Sequence, residues 1–274
     1  MIVLSDLYIS IADWTVHLNL AECDNPVRQR LVEHYQAFLV SPSSGKISIR
    51  LQVELGDQYI PLSNSPVWQV RTTEQNGRIE FLSHFEKGWV DRVAGRGELV
   101  LRPQGDPENF LRVLYAWLCL DHDGLLLHAS GIISKGKGYA FVGHSSSGKT
   151  TTTLLSSDKT ILSDDMVIVK KDGDRYKLYG VPFRGDMPES PRTNAVADLR
   201  CLFRLVKDSE HRLEPIAASE AVGHLASCVP FVMTHPDQSL RVLEICADLV
   251  KHVPVYALHF RRDPGFWEKI DELD

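Results

Sequence analysis

The chain has 274 residues, of which 43% are hydrophobic and 24% are charged, and 30 Lys and Arg against 36 Asp and Glu give a formal net charge of −6. This composition excludes a disordered chain, a collagen and a coiled coil. The acidic excess and the lack of a Lys/Arg run argue against a dedicated binder of nucleic acid or of an anionic membrane. A small or phosphorylated ligand is compatible with this composition and net charge.

The apolar stretches of the chain are short. Those such as 114–120 fall far below the ~20 residues that a helix needs to span a bilayer. The first residues lack the basic start, the apolar segment and the cleavage site of a secretion signal. Five cysteines are widely spaced and form no CxxC pair, which predicts reduced, mostly buried thiols. We therefore expect a cytoplasmic protein with no membrane partner and no nucleic-acid partner.

Residues 1–124 have the pattern of a β-rich region. Apolar residues alternate strictly over 47–55, as in a strand with one buried face. Near the end of this region Asp106 offers an N-cap and apolar residues recur at helical spacing, which predicts a helix over 107–120. Further strand candidates are 67–70, 78–82 and 98–101.

Residues 125–274 alternate apolar strands with short helical segments, an order that indicates an α/β nucleotide fold. Asp172-Gly173 predicts a hairpin, and the segment 207–210 gives a weaker hairpin signal. Because hairpins join antiparallel strands, we expect a mixed sheet. The predicted strands are 125–133, 139–142, one around Ile161, 166–170, 175–179, 201–206, 211–216 and 253–260. The predicted helices are one directly after 143–150, then 218–228, 237–250 and 265–273. On the helix 237–250 the expected apolar side carries Leu240, Leu243, Cys246, Leu249 and Val250.

Residues 143–150, Gly-His-Ser-Ser-Ser-Gly-Lys-Thr, match the pattern G-x-x-x-x-G-K-[ST] between an apolar strand and a predicted helix. Glycines in such a loop let backbone N–H groups surround a phosphate, the lysine adds positive charge, and the last hydroxyl faces Mg²⁺. The pattern predicts a nucleotide site with Thr150 as a metal ligand. Its candidate binding residues are Gly143, Ser145, Ser146, Ser147, Gly148, Lys149, Thr150 and Thr151.

Two adjacent carboxylates, Asp164 and Asp165, follow the predicted strand around Ile161. A phosphate-loop enzyme carries its second metal-handling carboxylate at such a place. One aspartate could hold Mg²⁺ while the other accepts the proton of an attacking hydroxyl. The structural alternative is an ordinary turn after a strand.

The order of these features resembles the HPr kinase/phosphorylase family, whose nucleotide-binding fold is shared with the ATP-dependent phosphoenolpyruvate carboxykinases. His128 ends a strand before the loop 143–150, and the aspartate pair follows the loop at close to the spacing of that family. The segment 182–185, Pro-Phe-Arg-Gly, is similar to a second signature of the family, but Pro182 stands where the family has a glutamate. That proline argues against phosphorylase activity and against HPr as the substrate.

The resemblance covers residues 125–190 well, extends loosely to 274 and does not include 1–105. It implies a mixed-sheet, phosphate-loop kinase core of the HPr kinase/PEP carboxykinase type at 125–274, after the β-rich region 1–124. It also assigns roles by position, although the two aspartates could exchange theirs. The implied catalytic residues are His128 for phosphate or substrate contact, Asp164 for metal and Asp165 as general base. Arg184 is a further catalytic candidate, because the planar fork of an arginine can neutralise charge on the transferred group; the alternative is a surface arginine in a loop.

The function implied is an ATP-dependent, Mg²⁺-requiring kinase that phosphorylates a serine hydroxyl on a protein or peptide. Modification of a ribosomally made peptide is a special case, because proteins similar to this family occur in such pathways. A small-molecule kinase acting on serine or a carboxylate is one alternative. A non-catalytic, nucleotide-dependent regulatory module is another. The acceptor and the oligomeric state stay open, since the hexamers of HPr kinases cannot be assumed for a chain with a different N-terminal region.

Overall fold

The computed structural model describes residues 5–42, 47–62, 69–183, 185, 191–234 and 236–273. The chain divides into two units, residues 1–114 and 115–274, and each contains one mixed sheet. The division falls inside a helix, whereas the boundary expected from the sequence lies at 124–125. No helix in the described part of the chain combines the length and the apolar character needed to cross a bilayer.

The first unit is built on a seven-stranded sheet with the order β1-β2-β3-β7-β6-β5-β4. Strands β2, β3 and β7 run parallel to one another, and the other neighbours are antiparallel. Its elements are β1 (Asp6–Ile11), β2 (Trp14–Glu22), α1 (Asn25–Tyr35), a 3₁₀ turn (Gln36–Phe38), β3 (Ile47–Val53), β4 (Arg71–Gln75), β5 (Arg78–Leu82), β6 (Glu86–Asp91), β7 (Arg96–Leu101) and the start of α2 (Glu108–Asp121).

Local chemistry explains the turns of this sheet. The β1–β2 turn holds Ala12 and Asp13 at φ of 50° and 70°, and the β4–β5 turn holds Asn76 and Gly77 at 54° and 85°. Two consecutive residues with positive φ are typical of the two-residue hairpin turns that match the twist of a sheet. Helix α1 begins after Asp24, whose side chain accepts a hydrogen bond from the Val27 N–H at 3.0 Å.

The second unit contains an eight-stranded sheet with the order β10-β8-β11-β12-β13-β15-β14, while β9 pairs with both β13 and β8. Its core is an aromatic cluster between this sheet and α6, including Phe141, Phe203, Phe266 and Trp267. Its elements after α2 are β8 (Gly124–Ser134), β9 (Lys137–Val142), α3 (Lys149–Leu154), β10 (Thr160–Ser163), β11 (Met166–Asp172), β12 (Arg175–Tyr179), β13 (Val196–Lys207), β14 (Arg212–Pro215), α4 (Ala218–Ser227), α5 (Pro236–His252), β15 (Val255–Phe260) and α6 (Phe266–Asp271).

The mixed α/β class and most of the expected elements are confirmed. The predicted helix over 107–120 is α2, and the Asp172-Gly173 hairpin joins β11 to β12. All five cysteines are buried and free. Helix α1 and strands β1, β2, β4 and β6 were not expected, although β1 and β2 alternate buried and partly exposed residues as regularly as β3 does.

Three expectations are wrong in part. The segment 207–210 does not form a hairpin, since β13 pairs in parallel with β9 and β15 while β14 pairs with β15. Residues 69–70 are not a strand, and the rest of the candidate 67–70 lies outside the described residues. On α5, Leu240 and Leu243 are exposed, because the buried face is formed by Val242, Ile245, Cys246 and Leu249.

Trp267 joins α6 to the rest of the second unit. Its ring packs against Tyr139 and Phe141 at centroid distances of 5.6 and 5.8 Å. Its indole Nε1 donates a hydrogen bond to Ser156 Oγ at 2.8 Å, and Ser156 Oγ donates in turn to the Thr152 carbonyl of α3. Trp267 therefore fixes both α6 and the end of α3.

We expect Trp267→Ala to lower the free energy of unfolding by about 3–5 kcal/mol, because it leaves a cavity in the aromatic core and removes the hydrogen bond from Trp267 Nε1 to Ser156 Oγ. Chemical denaturation measures the change. Leu240→Ala is the control, since Leu240 is 59% exposed on α5, and its effect should stay within about 0.5 kcal/mol. Equal effects of the two substitutions would contradict the packing role of Trp267.

Candidate functional site

Strand β8 brings three separate segments to one edge of the sheet. Its first half, up to His128, pairs with β11, and its second half, from Ala129, pairs with β9. The His128 carbonyl accepts a hydrogen bond from the Gly143 N–H at 3.1 Å, and the Ala129 N–H donates to the Asp165 carbonyl at 2.9 Å. The end of β9 and the start of β11 are thereby held on either side of His128.

The loop between β9 and α3 is a tight turn that only certain residues allow. Gly148 has φ of +118°, and a Cβ at this position would lie 2.8 Å from the Phe260 ring. Ser146 also has a positive φ, 67°. The Lys149 ammonium donates hydrogen bonds to the carbonyls of Gly143 at 2.8 Å and of His144 at 3.0 Å. These bonds hold the lysine, which is 8% exposed, across the concave side of its own loop.

Helix α4 supports the loop from another side. Ser227 Oγ lies 3.2 Å from His144 Nε2, and His224 Nε2 lies 3.4 Å from the Val142 carbonyl. Burial lowers the pKa of His224, which favours its neutral form. The Cys228 carbonyl, directly after α4, accepts a hydrogen bond from the His128 N–H at 2.9 Å. The end of α4 is thus tied to the first residues of the loop and to β8.

The aspartate pair lies in a turn between β10 and β11. Ser163 Oγ accepts hydrogen bonds from the backbone N–H groups of Asp165 and Met166, both at 3.3 Å. Asp164 is 2% exposed, whereas 23% of the Asp165 side chain is exposed. The turn therefore presents one enclosed and one accessible carboxylate.

Gly185 packs directly against this turn. A Cβ at this position would lie 2.7 Å from Asp164 Oδ2 and 2.7 Å from the Asp165 Cβ. No side chain fits such a gap without movement of the turn. Gly185, the last residue of the segment that is similar to a second family signature, is therefore adjacent to the aspartate pair.

His128 faces Asp165 across the edge of the sheet. Its Nδ1 lies 3.8 Å from Asp165 Oδ1, and its side chain is 35% exposed. At this distance the pair interacts by charge when the imidazole is protonated, although the contact is longer than a hydrogen bond. Both groups are accessible to a bound molecule.

These residues line one cavity of about 620 Å³, a volume in the range typical of ligand sites. Cationic, hydroxyl and backbone N–H groups of the loop lie on one part of its wall, and carboxylates lie on another. The lining residues are His128, His144, Ser145, Ser146, Gly148, Lys149, Thr150, Thr151, Asp164, Asp165 and Lys207.

Most of the residues singled out in the sequence thus come together. Gly143 and Ser147 belong to the loop but are not among the residues that line the cavity. Within the loop, Gly143 packs against Ser147. Arg184 lies outside the described residues.

Lys207 is a lining residue that the sequence did not indicate. It ends β13 and stands opposite Phe260 of β15 in the parallel register. Because β13 also runs parallel to β9, its carboxyl end lies at the same edge as the loop. The sequence does show a lysine at the end of an apolar run, which could have indicated this role. The hairpin expected at 207–210 placed Lys207 in a turn instead.

The residues that line this cavity can together bind a polyanion and accept a proton. The lysines and backbone N–H groups suit phosphate oxygens, and the N-terminal end of α3 adds partial positive charge. A hydroxyl and an enclosed carboxylate, Thr150 and Asp164, are donors that Mg²⁺ prefers. The accessible carboxylate of Asp165 suits a general base.

Comparison with known proteins gives one family. A family model described as SynChlorMet cassette protein ScmC matches residues 109–273. A comparison with curated proteins finds no match. Among solved structures, the Hpr(Ser) kinase/phosphatase from Coxiella burnetii is 11% identical, with 54% of this chain and 94% of that chain covered and a TM-score of 0.32, a likeness too low to support an argument. Since the family model spans more than half of the sequence, this chain belongs to the SynChlorMet cassette protein ScmC family.

Proposed function

We propose that this protein is an ATP-dependent, Mg²⁺-requiring kinase that transfers the γ-phosphoryl group of ATP to a serine hydroxyl of a protein or peptide. The observation that carries the proposal is the single cavity in which the loop around Lys149 faces the carboxylates of Asp164 and Asp165. Kinases need this combination, because phosphoryl transfer depends on positioning and on neutralising charge more than on covalent chemistry.

The residues present fit a nucleoside triphosphate. The positive φ at Ser146 and Gly148 curls the loop, and its backbone N–H groups suit phosphate oxygens. Lys149 contributes a cation at the wall of the cavity, and Lys207 contributes a second one from the end of β13. Two cations from separate elements, α3 and β13, would contact different phosphates of the same nucleotide.

The residues also fit a magnesium ion. Thr150 and Asp164 both line the cavity, and Asp164 is almost fully enclosed. When bound, the ion neutralises charge on the β- and γ-phosphates. Thr150 and Asp164 are the groups of this chain that would hold it.

Asp165 and His128 would act on the acceptor. Asp165 takes the proton of the serine hydroxyl as the serine oxygen bonds to the γ-phosphorus, the bond to the β,γ-bridging oxygen breaks, and ADP leaves. A protonated His128, 3.8 Å from Asp165, orients that carboxylate or contacts the transferred group.

The direct test is incubation of the purified protein with γ-labelled ATP and Mg²⁺ in an extract of the source cell, followed by mass spectrometry of the labelled species. We expect phosphoserine in a polypeptide, and none with the variant Asp165→Asn. Label in free serine or in a carboxylic acid would instead indicate a small-molecule kinase. Slow hydrolysis that no acceptor accelerates would favour a regulatory module.

We expect Asp165→Asn to lower phosphoryl transfer by about 100-fold or more while ATP affinity changes little, because the amide cannot accept the proton. Transfer is measured with the acceptor found above, and affinity by calorimetry. Asp198→Asn is the control, since Asp198 pairs with Arg175 at 2.9 Å and does not line the cavity. Unchanged transfer in Asp165→Asn would exclude Asp165 as the base.

We expect Lys149→Ala to weaken ATP binding by about 10-fold to 100-fold, because it removes a charge-assisted hydrogen bond to phosphate. Calorimetric titration with ATP and Mg²⁺ measures the loss. Lys177→Ala is the matched control, because Lys177 pairs with Asp172 at 2.6 Å on the β11–β12 hairpin. Equal ATP affinity in the two variants would count against a nucleotide site in this loop.

A further inference from the structure

A second group of chemically active side chains lies in the first unit. His34 stands near the end of α1, and Asp106 and Glu108 stand at the start of α2. One ring nitrogen of His34 and one oxygen of each carboxylate lie within 4.8 Å of one another. Helices α1 and α2 are far apart in sequence, so the fold itself brings these three groups together.

One ring nitrogen of His34, Nε2, is enclosed without a hydrogen bond within the described residues. The His34 side chain is 3% exposed. Glu108 Oε2 lies 3.1 Å from Nε2, but not in line for a hydrogen bond. Nδ1 lies 4.0 Å from Asp106 Oδ2. Enclosing a ring nitrogen that has no hydrogen bond is costly, and this cost indicates a ligand for Nε2.

Each carboxylate is already oriented through its other oxygen. Asp106 Oδ1 accepts hydrogen bonds from the Glu108 N–H at 2.9 Å and from the Tyr35 hydroxyl at 3.3 Å. Glu108 Oε1 accepts one from Arg112 at 2.6 Å. The remaining oxygens, Oδ2 and Oε2, face His34. Metal sites have this organisation, since partners outside the ligand set fix the direction of the ligating oxygens.

We propose that His34, Asp106 and Glu108 form a binding site for a divalent transition-metal ion of the zinc class. One imidazole nitrogen and two carboxylate oxygens are a ligand set that such ions accept. Bonds of about 2.1 Å at tetrahedral angles place ligand atoms about 3.4 Å apart, close to the 3.1 Å between Nε2 and Glu108 Oε2. The Asp106 carboxylate lies within 4.8 Å of the other two ligand atoms, so it would have to move closer to join them, and water would fill a remaining coordination position. The ion would join α1 to α2.

The test is calorimetric titration of the EDTA-treated, dialysed full-length protein with Zn²⁺, together with thermal unfolding in its presence. We expect one equivalent to bind and the melting temperature to rise by several degrees. Glu108→Gln and His34→Gln, which keep the size of the side chain closely, should each weaken binding at least about 10-fold and remove the thermal shift.

Two controls separate this site from others. His17→Gln alters another histidine of the first unit, which is hydrogen-bonded to Asp6 at 2.7 Å and to Ser48 at 2.9 Å, and should leave binding unchanged. Asp164→Asn alters the proposed magnesium site and should also leave it unchanged. Absence of binding in the wild type, or equal Zn²⁺ affinity in wild type, Glu108→Gln and His34→Gln, would overturn the proposal, whatever the outcome for the kinase.

Discussion

The candidate active site depends on a single strand, β8, that is hydrogen-bonded to different neighbours on its two sides. Strand β8 pairs with β11 up to His128 and with β9 from Ala129 onward. A β-strand has one ladder of hydrogen bonds on each side: the Ala129 N–H donates to the Asp165 carbonyl on one side, and the His128 carbonyl accepts from the Gly143 N–H on the other. The loop after β9 and the turn before β11 must therefore meet at His128. This backbone arrangement, rather than any side-chain contact, determines which residues share the cavity.

The local parts of this site could be predicted from the sequence. The loop 143–150 is recognisable because its glycines, lysine and hydroxyl serve chemical needs that few other sequences meet. Strands such as β3 and helix α2 are visible because burial imposes their periodicity. His128 and the aspartate pair are only single residues in sequence, and their order along the chain was the useful signal.

The long-range parts could not be predicted in the same way. Strand β13 pairs in parallel with β9, although more than 50 residues separate the two strands in sequence, and parallel pairing leaves no turn residue as a local mark. The segment 207–210 lies between two apolar runs, so a hairpin was expected at the end of β13 instead. Lys207 was therefore not recognised as a residue of the site. The apolar face of α5 was predicted with the wrong rotation, since Leu240 and Leu243 extend the helical pattern but face solvent.

In the first unit, even less of the grouping of polar side chains could be predicted from the sequence. One of its polar residues is the buried Glu86. Burial raises the pKa of Glu86 to about 8, while hydrogen bonds from Ser83 and Asn109 partly oppose this rise. In sequence these are scattered polar residues within a β-rich region. His34, Asp106 and Glu108 become a group only when α1 packs near the start of α2, so neither motif nor spacing could reveal them.

Burial offers a physical reason for the assignment of the two aspartates. A base that takes a proton from a polypeptide hydroxyl must be reached by the acceptor, and Asp165 has 23% of its side chain exposed beside His128. Asp164 is 2% exposed and lies against the backbone at Gly185, so it is less accessible to an acceptor chain than Asp165. An enclosed carboxylate carries a high cost of desolvation, and a bound cation offsets that cost. The more buried aspartate therefore suits the metal ion, and the more exposed one suits the proton transfer.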